Sequence, residues 1–141
     1  MLVDWVTSRI AISEYPSSKT DLGQFDAVLN LDRFTPYHTT VHHVHLPIID
    51  GHGNEPEEIA GVLRHMHALV ERGRVLVHCA AGVSRSPFII ALYLSWRTNL
   101  SFDEAVARVA LRRRRPLNID PGLLAIKDDI LAILGRNGDG P

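Results

Sequence analysis

One cysteine stands in a chain of 141 residues, and the side chains around it form the grouping best suited to chemistry. Residues 75–94 read VLVHCAAGVSRSPFIIALYL. An apolar run ends in His78 and Cys79. Then come the small residues Ala80, Ala81, Gly82, Val83 and Ser84, followed by Arg85, Ser86 and a second apolar run. The first run has the length of a strand, and the second is apolar nearly all round, as a buried helix would be. A loop that opens a helix presents backbone N–H groups without internal partners and about half a positive charge. An anion is the natural occupant of such a place. Gly82 permits positive φ, so successive N–H groups can turn toward one centre. Arg85 would add a planar fork of donors that matches two oxygens of a phosphate. The same field favours Cys79 as a thiolate at the floor of the cradle. Ser86 can hydrogen-bond that sulfur as nucleophile or as leaving group, and His78 can orient the loop through its ring nitrogens. A lone cysteine at a strand end is usually a small buried apolar residue. Its company with Gly82, Arg85 and a buried helix turns the reading toward attack on phosphorus.

Attack by a thiolate on a phosphate ester needs a proton donor for the departing oxygen, from a different loop. Asp50 is the candidate, in the stretch Ile48–Ile49–Asp50–Gly51–His52–Gly53 that follows an expected strand. Ligand-facing loops of open α/β sheets emerge at such strand ends. The two glycines would let this loop close over a substrate. An Asp-Gly pair also suits a plain turn, and Glu55 and His52 are the fallback donors.

The segment His78–Cys79–Ala80–Ala81–Gly82–Val83–Ser84–Arg85–Ser86 resembles the HCxxGxxRS signature of cysteine-dependent protein tyrosine phosphatases, in the form used by dual-specificity phosphatases. The resemblance runs from about Trp5 to Ile130 and includes the apolar helix with Ala91–Leu94 and the arginine run with its proline, Arg112 to Pro116. It implies catalysis by Cys79, Arg85, Asp50 and Ser86, a phosphate loop of Ala80 to Arg85, and support from His78. In some relatives a polar residue after the arginine-proline stretch helps place the hydrolytic water, and Asn118 stands in that region. The implied reaction hydrolyses phosphotyrosine, with phosphoserine and phosphothreonine as further substrates, through a phosphocysteine intermediate and without metal or cofactor. Ala80, Ala81 and Val83 supply none of the lysines with which phosphoinositide phosphatases meet extra phosphates. An RNA 5′-triphosphatase or small-metabolite phosphatase on the same scaffold, and a non-catalytic phosphopeptide-binding module, are the competing readings.

These residues need a frame to hold them. Trp5–Val6 and Ile10–Ala11–Ile12 suggest a hairpin, Ala27–Leu31 a buried strand, and Val41 to Ile49 a half-buried strand. Asn54 with Glu57 can cap a helix that carries Ile59, Val62, Leu63, Met66, Leu69 and Val70, and Gly73 ends it. Ser101 with Glu104 predicts a capping box for a helix to about Leu111. Asp120 and Pro121 open one last helix reaching Leu134. Strands alternating with helices predict an α/β domain in three layers, a mostly parallel sheet of about four to five strands with helices on both faces. One catalytic domain is expected over 1–134, with a flexible tail over 135–141.

Composition narrows the partners. The chain is 45% hydrophobic and 22% charged, ordinary for a soluble globular protein. Fifteen basic and sixteen acidic residues give a net charge of −1, which argues against wholesale attraction to nucleic acid or anionic membrane. One cysteine excludes an internal disulfide, and Asp4 and Arg9 interrupt the apolar stretch that a signal peptide would need. The expectation is a cytoplasmic monomer that acts on phosphorylated protein, with phosphate or another oxyanion able to occupy the loop. His38, His42, His43 and His45 invite a metal, but no Cys, Asp or Glu lies beside them to complete a site. Arg112 to Arg115 reads as cations offsetting a helix C-terminus rather than as a nucleic-acid surface.

Overall fold

Short runs of β-branched and aliphatic residues make three strands, β2 (Ile10–Ser13), β3 (Ala27–Asn30) and β5 (Val75–His78), and the mixed segments Val3–Trp5 and His42–His45 make β1 and β4. A computed structural model describes residues 3–18, 20–34 and 37–135. The five strands form one sheet in the order β1-β2-β5-β3-β4. Only β1 is antiparallel to its neighbour; β2, β5, β3 and β4 pair in parallel. Ser13, His78, Asn30 and His45 lie side by side in register, so the carboxyl ends of four parallel strands share one edge. The loops bearing Cys79, Asp32 and Asp50 all leave from that edge, where α/β sheets bind ligands.

Five helices follow: α1 (Pro56–Arg72), α2 (Arg85–Arg97), α3 (Phe102–Arg112), α4 (Pro121–Leu124) and α5 (Lys127–Ile133). α1 is amphipathic, burying Ile59, Ala60, Val62, Leu63, Met66 and Leu69. Every residue of α2 from Arg85 to Ser95 is buried, which fixes the helix as the central rod behind the loop that follows β5. The capping box of Ser101 and Glu104 is present at the start of α3, and Asp120 caps α4 by accepting from Gly122 N–H.

The α/β class and the mostly parallel sheet are as expected, and the differences are local. Pairing of β4 stops at His45 rather than Ile49. Leu46 and Ile48 still donate to Asn30 and Leu31, so the chain stays alongside β3 while leaving the ladder. The single last helix is two, α4 and α5, with an interruption at Ala125 and Ile126. Asn54 does not cap α1. Glu55 holds the cap position without a side-chain bond, and the Asn54 amide is turned to Ile49 in the loop after β4. The layering also differs from the expectation of helices on both faces. Ile10, Ile12, Leu29 and Val77 pack with the helices. On the opposite face Ala11, Val28 and Leu76 pack with Phe25, Trp5, Leu22, Tyr37 and Val41, none of which is helical. Apolar loop residues can cover a strip only three central strands wide, so no helix is needed there. The expected tail lies outside the described residues except for Gly135. Among the described residues, no helix is long and apolar enough to cross a membrane.

Candidate active site

Each carbonyl of the loop after β5 is tied to a donor outside the loop. Cys79 O accepts from the His78 ring at 3.2 Å, and Ala80 O from Tyr15 N–H at 2.7 Å. Arg113 donates Nη2–H to Ala81 O at 3.2 Å and Nε–H to Gly82 O at 3.1 Å. Val83 O accepts from Asn118 N–H at 2.8 Å, and Ser84 O from Phe88 N–H in α2 at 3.0 Å. In a trans peptide the N–H of the next residue points opposite to the carbonyl. Pinning these carbonyls outward therefore turns the N–H groups from Ala80 to Arg85 toward the loop interior, which makes an anion nest. Gly82 is the one loop residue at positive φ, +72°, and a Cβ there would sit 2.6 Å from Arg113 Nη2 and 2.7 Å from Ser13 O. Only glycine meets both demands.

Cys79 lies at the base of this nest, 2% exposed, with its sulfur 3.2 Å from the Ser86 hydroxyl. Arg85 is buried, and its Nη2 donates to Asp32 Oδ1 at 2.9 Å. Arg85 Nε and Asp32 Oδ2 are buried without a hydrogen-bond partner among the described residues. A buried guanidinium held at one corner keeps a charged donor for an oxyanion. Asp32 is itself braced: its N–H donates to Asn30 Oδ1 at 2.9 Å, and the His45 ring donates to its carbonyl at 2.6 Å.

Burial holds His78 neutral, pushing its pKa down to about 4, and burial raises Tyr37 well above the usual phenol range. A neutral ring has one N–H. Nδ1–H donates to Cys79 O, so Nε2 accepts from the Tyr37 hydroxyl at 2.8 Å. Tyr37 thus fixes the tautomer that holds the first carbonyl of the nest.

A cleft of about 560 Å³ opens above, lined by Asp32, Arg33, Phe34, Ile49, Asp50, Ala80 and Arg85. Asp50 is exposed in it and accepts from the Ser84 hydroxyl at 2.5 Å. Asn54 braces the Asp50 loop, accepting from Ile49 N–H at 2.9 Å and donating to Ile49 O at 2.8 Å. Asp50 and the loop residues Ala80 and Arg85 therefore line one cleft.

Of the other sequence candidates, Asn118 meets the loop through its main chain while its side chain is exposed. Glu55 and His52 are exposed and outside the residues that line the cleft. Within the arginine run Arg113 alone is buried. Arg113, 4% exposed, pairs with Asp4 at 2.7 Å; Arg114 contacts the same carboxylate, and Arg115 reaches Glu14 at 3.4 Å. The run thus buttresses the loop through Arg113, while Arg114 and Arg115 meet carboxylates at the surface. Among the described residues no group of three His, Cys, Asp or Glu side chains could hold a metal. Asp32, Tyr37, Asp4 and Arg113 escaped sequence reasoning. Only the length of the arginine run hinted that one of its members had a partner.

Comparisons with known proteins agree with this geometry. The family described as dual specificity phosphatase, catalytic domain, matches residues 9–123. Human dual specificity protein phosphatase 4 is 34% identical over 91 residues, 62% of this chain and 23% of that protein. Mouse dual specificity protein phosphatase 2 is 35% identical over 94 residues, 62% of this chain and 29% of that protein. The chain thus spans under a third of the length of these relatives. Among solved structures, Tk-PTP in the active form superposes with a TM-score of 0.78 at 25% identity, covering 91% of this chain and 95% of that one. Human DUSP28 superposes with a TM-score of 0.80 at 19% identity, covering 94% of each chain, a likeness of fold. With the signature loop, the sheet order and the match over 9–123 in agreement, the chain belongs to the dual specificity phosphatase catalytic-domain family of cysteine-dependent phosphatases.

Proposed function

We propose that the protein hydrolyses phosphotyrosine in protein substrates, with phosphoserine and phosphothreonine as slower ones, through a phosphocysteine intermediate. The carrying observation is the nest: each carbonyl from Cys79 to Ser84 bound outward, Arg85 beside it, and one thiol at the base. The inward N–H groups and Arg85 hold the non-bridging oxygens of the phosphate and stabilise the charge of the transition state. Cys79 attacks phosphorus in line, forming the S–P bond as the ester P–O bond breaks, and Asp50 gives its proton to the departing oxygen. Asp50, then a carboxylate, takes a proton from a water that attacks the phosphocysteine. Ser86, 3.2 Å from the sulfur, donates to the leaving thiolate in this second step. The positive field comes from dipoles and a guanidinium, so no metal enters either step.

The rim supports an aryl ester. Among the described residues only Phe34, Ile49 and Leu111 are large, apolar and exposed, and the first two line the cleft. Phe34, 69% exposed, offers a face for stacking on a phenol ring. Side-by-side turnover of phosphotyrosine and phosphothreonine peptides, an inositol phosphate and triphosphate-ended RNA tests the proposal. Preference for the phosphotyrosine peptide is expected; preference for RNA or inositol phosphate would overturn it.

A further inference from the structure

Ser84 stands at the N-cap of α2, where a serine hydroxyl ordinarily accepts from the N–H of the second or third helical residue. It makes no such bond, and its backbone, at φ −125° and ψ −76°, is not that of a usual cap. Its hydroxyl is engaged elsewhere. It accepts from Asp120 N–H at 3.0 Å and donates to Asp50 Oδ1 at 2.5 Å. With a lone pair committed to Asp120, the hydroxyl hydrogen is directed to Asp50. The start of α4 also meets the Asp50 loop directly. A Cβ on Gly122 would lie 2.3 Å from His52 N and 2.4 Å from the carbonyl carbon of Gly51, so these two backbones touch. The Asp120 carboxylate holds that approach by accepting from Gly122 N–H at 2.8 Å. The loop that follows Asp50 is therefore seated on α4 and latched through Ser84.

We propose that Ser84, backed by Asp120 and Gly122, is the positioning residue that aims the acid. Its hydrogen occupies Asp50 Oδ1, which leaves Oδ2 as the oxygen that carries the transferable proton into the cleft. In the first step that proton passes from Oδ2 to the ester oxygen while the P–O bond breaks and the S–P bond forms. Oδ1 keeps its bond to Ser84 and the new carboxylate stays in place for the second step. The inference rests on Asp50 being the acid, and its test separates the two ideas.

Ser84→Ala removes the latch, Ser84→Thr keeps the hydroxyl, and Gly122→Ala pushes on the loop from outside the nest. Turnover is compared on an aryl phosphate with a good leaving group and on one with a poor leaving group, with Asp50→Asn measured alongside. General acid help is worth ~10²–10⁴-fold, so losing its aim should cost the poor leaving group ~10–100-fold and the good one under about 3-fold. Gly122→Ala should show the same asymmetry, Ser84→Thr should recover most of the loss, and Ser84→Ala should add nothing to Asp50→Asn. Equal losses on both substrates with Ser84→Ala would make Ser84 a mere part of the loop and overturn the proposal. Asymmetry in Asp50→Asn without any in Ser84→Ala would also overturn it while leaving Asp50 as the acid. Equal losses on both substrates in Asp50→Asn would instead remove Asp50 from that role.

Discussion

Arg113 is the residue whose loss should do most damage for its distance from the chemistry. Each nitrogen of its guanidinium donates: Nη1 to Asp4 Oδ2, Nη2 to Ala81 O, Nε to Gly82 O. Arg113→Met keeps the volume and deletes three charge-assisted bonds. Removing one partner of a buried ion pair costs about 3–5 kcal/mol. Asp4 keeps two donors from Arg114, its side chain and its main-chain N–H, which places the loss near the lower end of that range. Against a domain stability of about 5–15 kcal/mol, the variant should remain folded and lose a visible part of its urea resistance. The second consequence is catalytic. With Ala81 O and Gly82 O released, the following N–H groups no longer face the nest. Loss of one such preorganised donor is worth ~10²–10³-fold in rate. Urea unfolding combined with kcat/KM on good and poor leaving groups tests both. The expected result is a loss of about 3 kcal/mol in stability and ~10²-fold in kcat/KM, equal across leaving groups. A stability change under about 1 kcal/mol, or a loss confined to poor leaving groups, would refute the buttress.

Three further outcomes follow from the same contacts. Asp32→Ala should lower kcat/KM by ~10–100-fold on every substrate, since a hydrogen bond to a charged group contributes about 1.5–3 kcal/mol; steady-state kinetics on two leaving groups checks it. His78 titrates near 4 when folded and near 6.5 when unfolded, so the unfolded chain binds the extra proton between these values. The His78 contribution is complete above about pH 6.5 and falls by about 3 kcal/mol as pH drops toward 4; His43, also lowered by burial, adds to the same slope, and His78→Asn should remove the His78 share in urea titrations run at several pH values. Phe34→Ser should lower kcat/KM on a phosphotyrosine peptide by ~3–10-fold and leave a phosphothreonine peptide nearly unchanged, because ring stacking is worth about 0.5–1.5 kcal/mol.

What could be read from the chain was what is local along it. Cys79, Gly82 and Arg85 sit within one turn-and-helix unit, so the spacing alone specifies a nest with a thiol at its base. Strands β3 and β5 and helices α1 to α3 declare themselves by period and by the Ser101–Glu104 box. The supports of the site are long-range and were silent. Asp32 lies 53 positions from Arg85, and Asp4 lies 109 from Arg113. Neither has a neighbour that betrays its partner. Asn54 misled because one side chain serves two purposes equally well: three residues before Glu57 it suits a helix cap, and the fold uses it to brace Ile49 and Gly51. The seat of the Asp50 loop was equally silent. Its glycines read as hinges, and the contacts with Gly122 and the Ser84 hydroxyl that seat it here come from far along the chain. Local chemistry announces what a residue can do, and the tertiary contacts decide which option is taken.

The sulfur of Cys79 as acceptor of the phosphoryl group is the claim on which the rest depends, and it can be observed as a covalent species. Ser86→Ala removes the hydroxyl 3.2 Å from that sulfur, the donor that would ease thiolate departure, so the intermediate should accumulate. The protein is mixed with a labelled phosphotyrosine peptide, quenched with acid within a turnover, digested and analysed by mass spectrometry. The account predicts one phosphoryl group on the peptide containing Cys79, more of it in Ser86→Ala than in the parent, and none in Cys79→Ser. A phosphoryl group on His78 or any other residue, or undiminished turnover by Cys79→Ser, would contradict it.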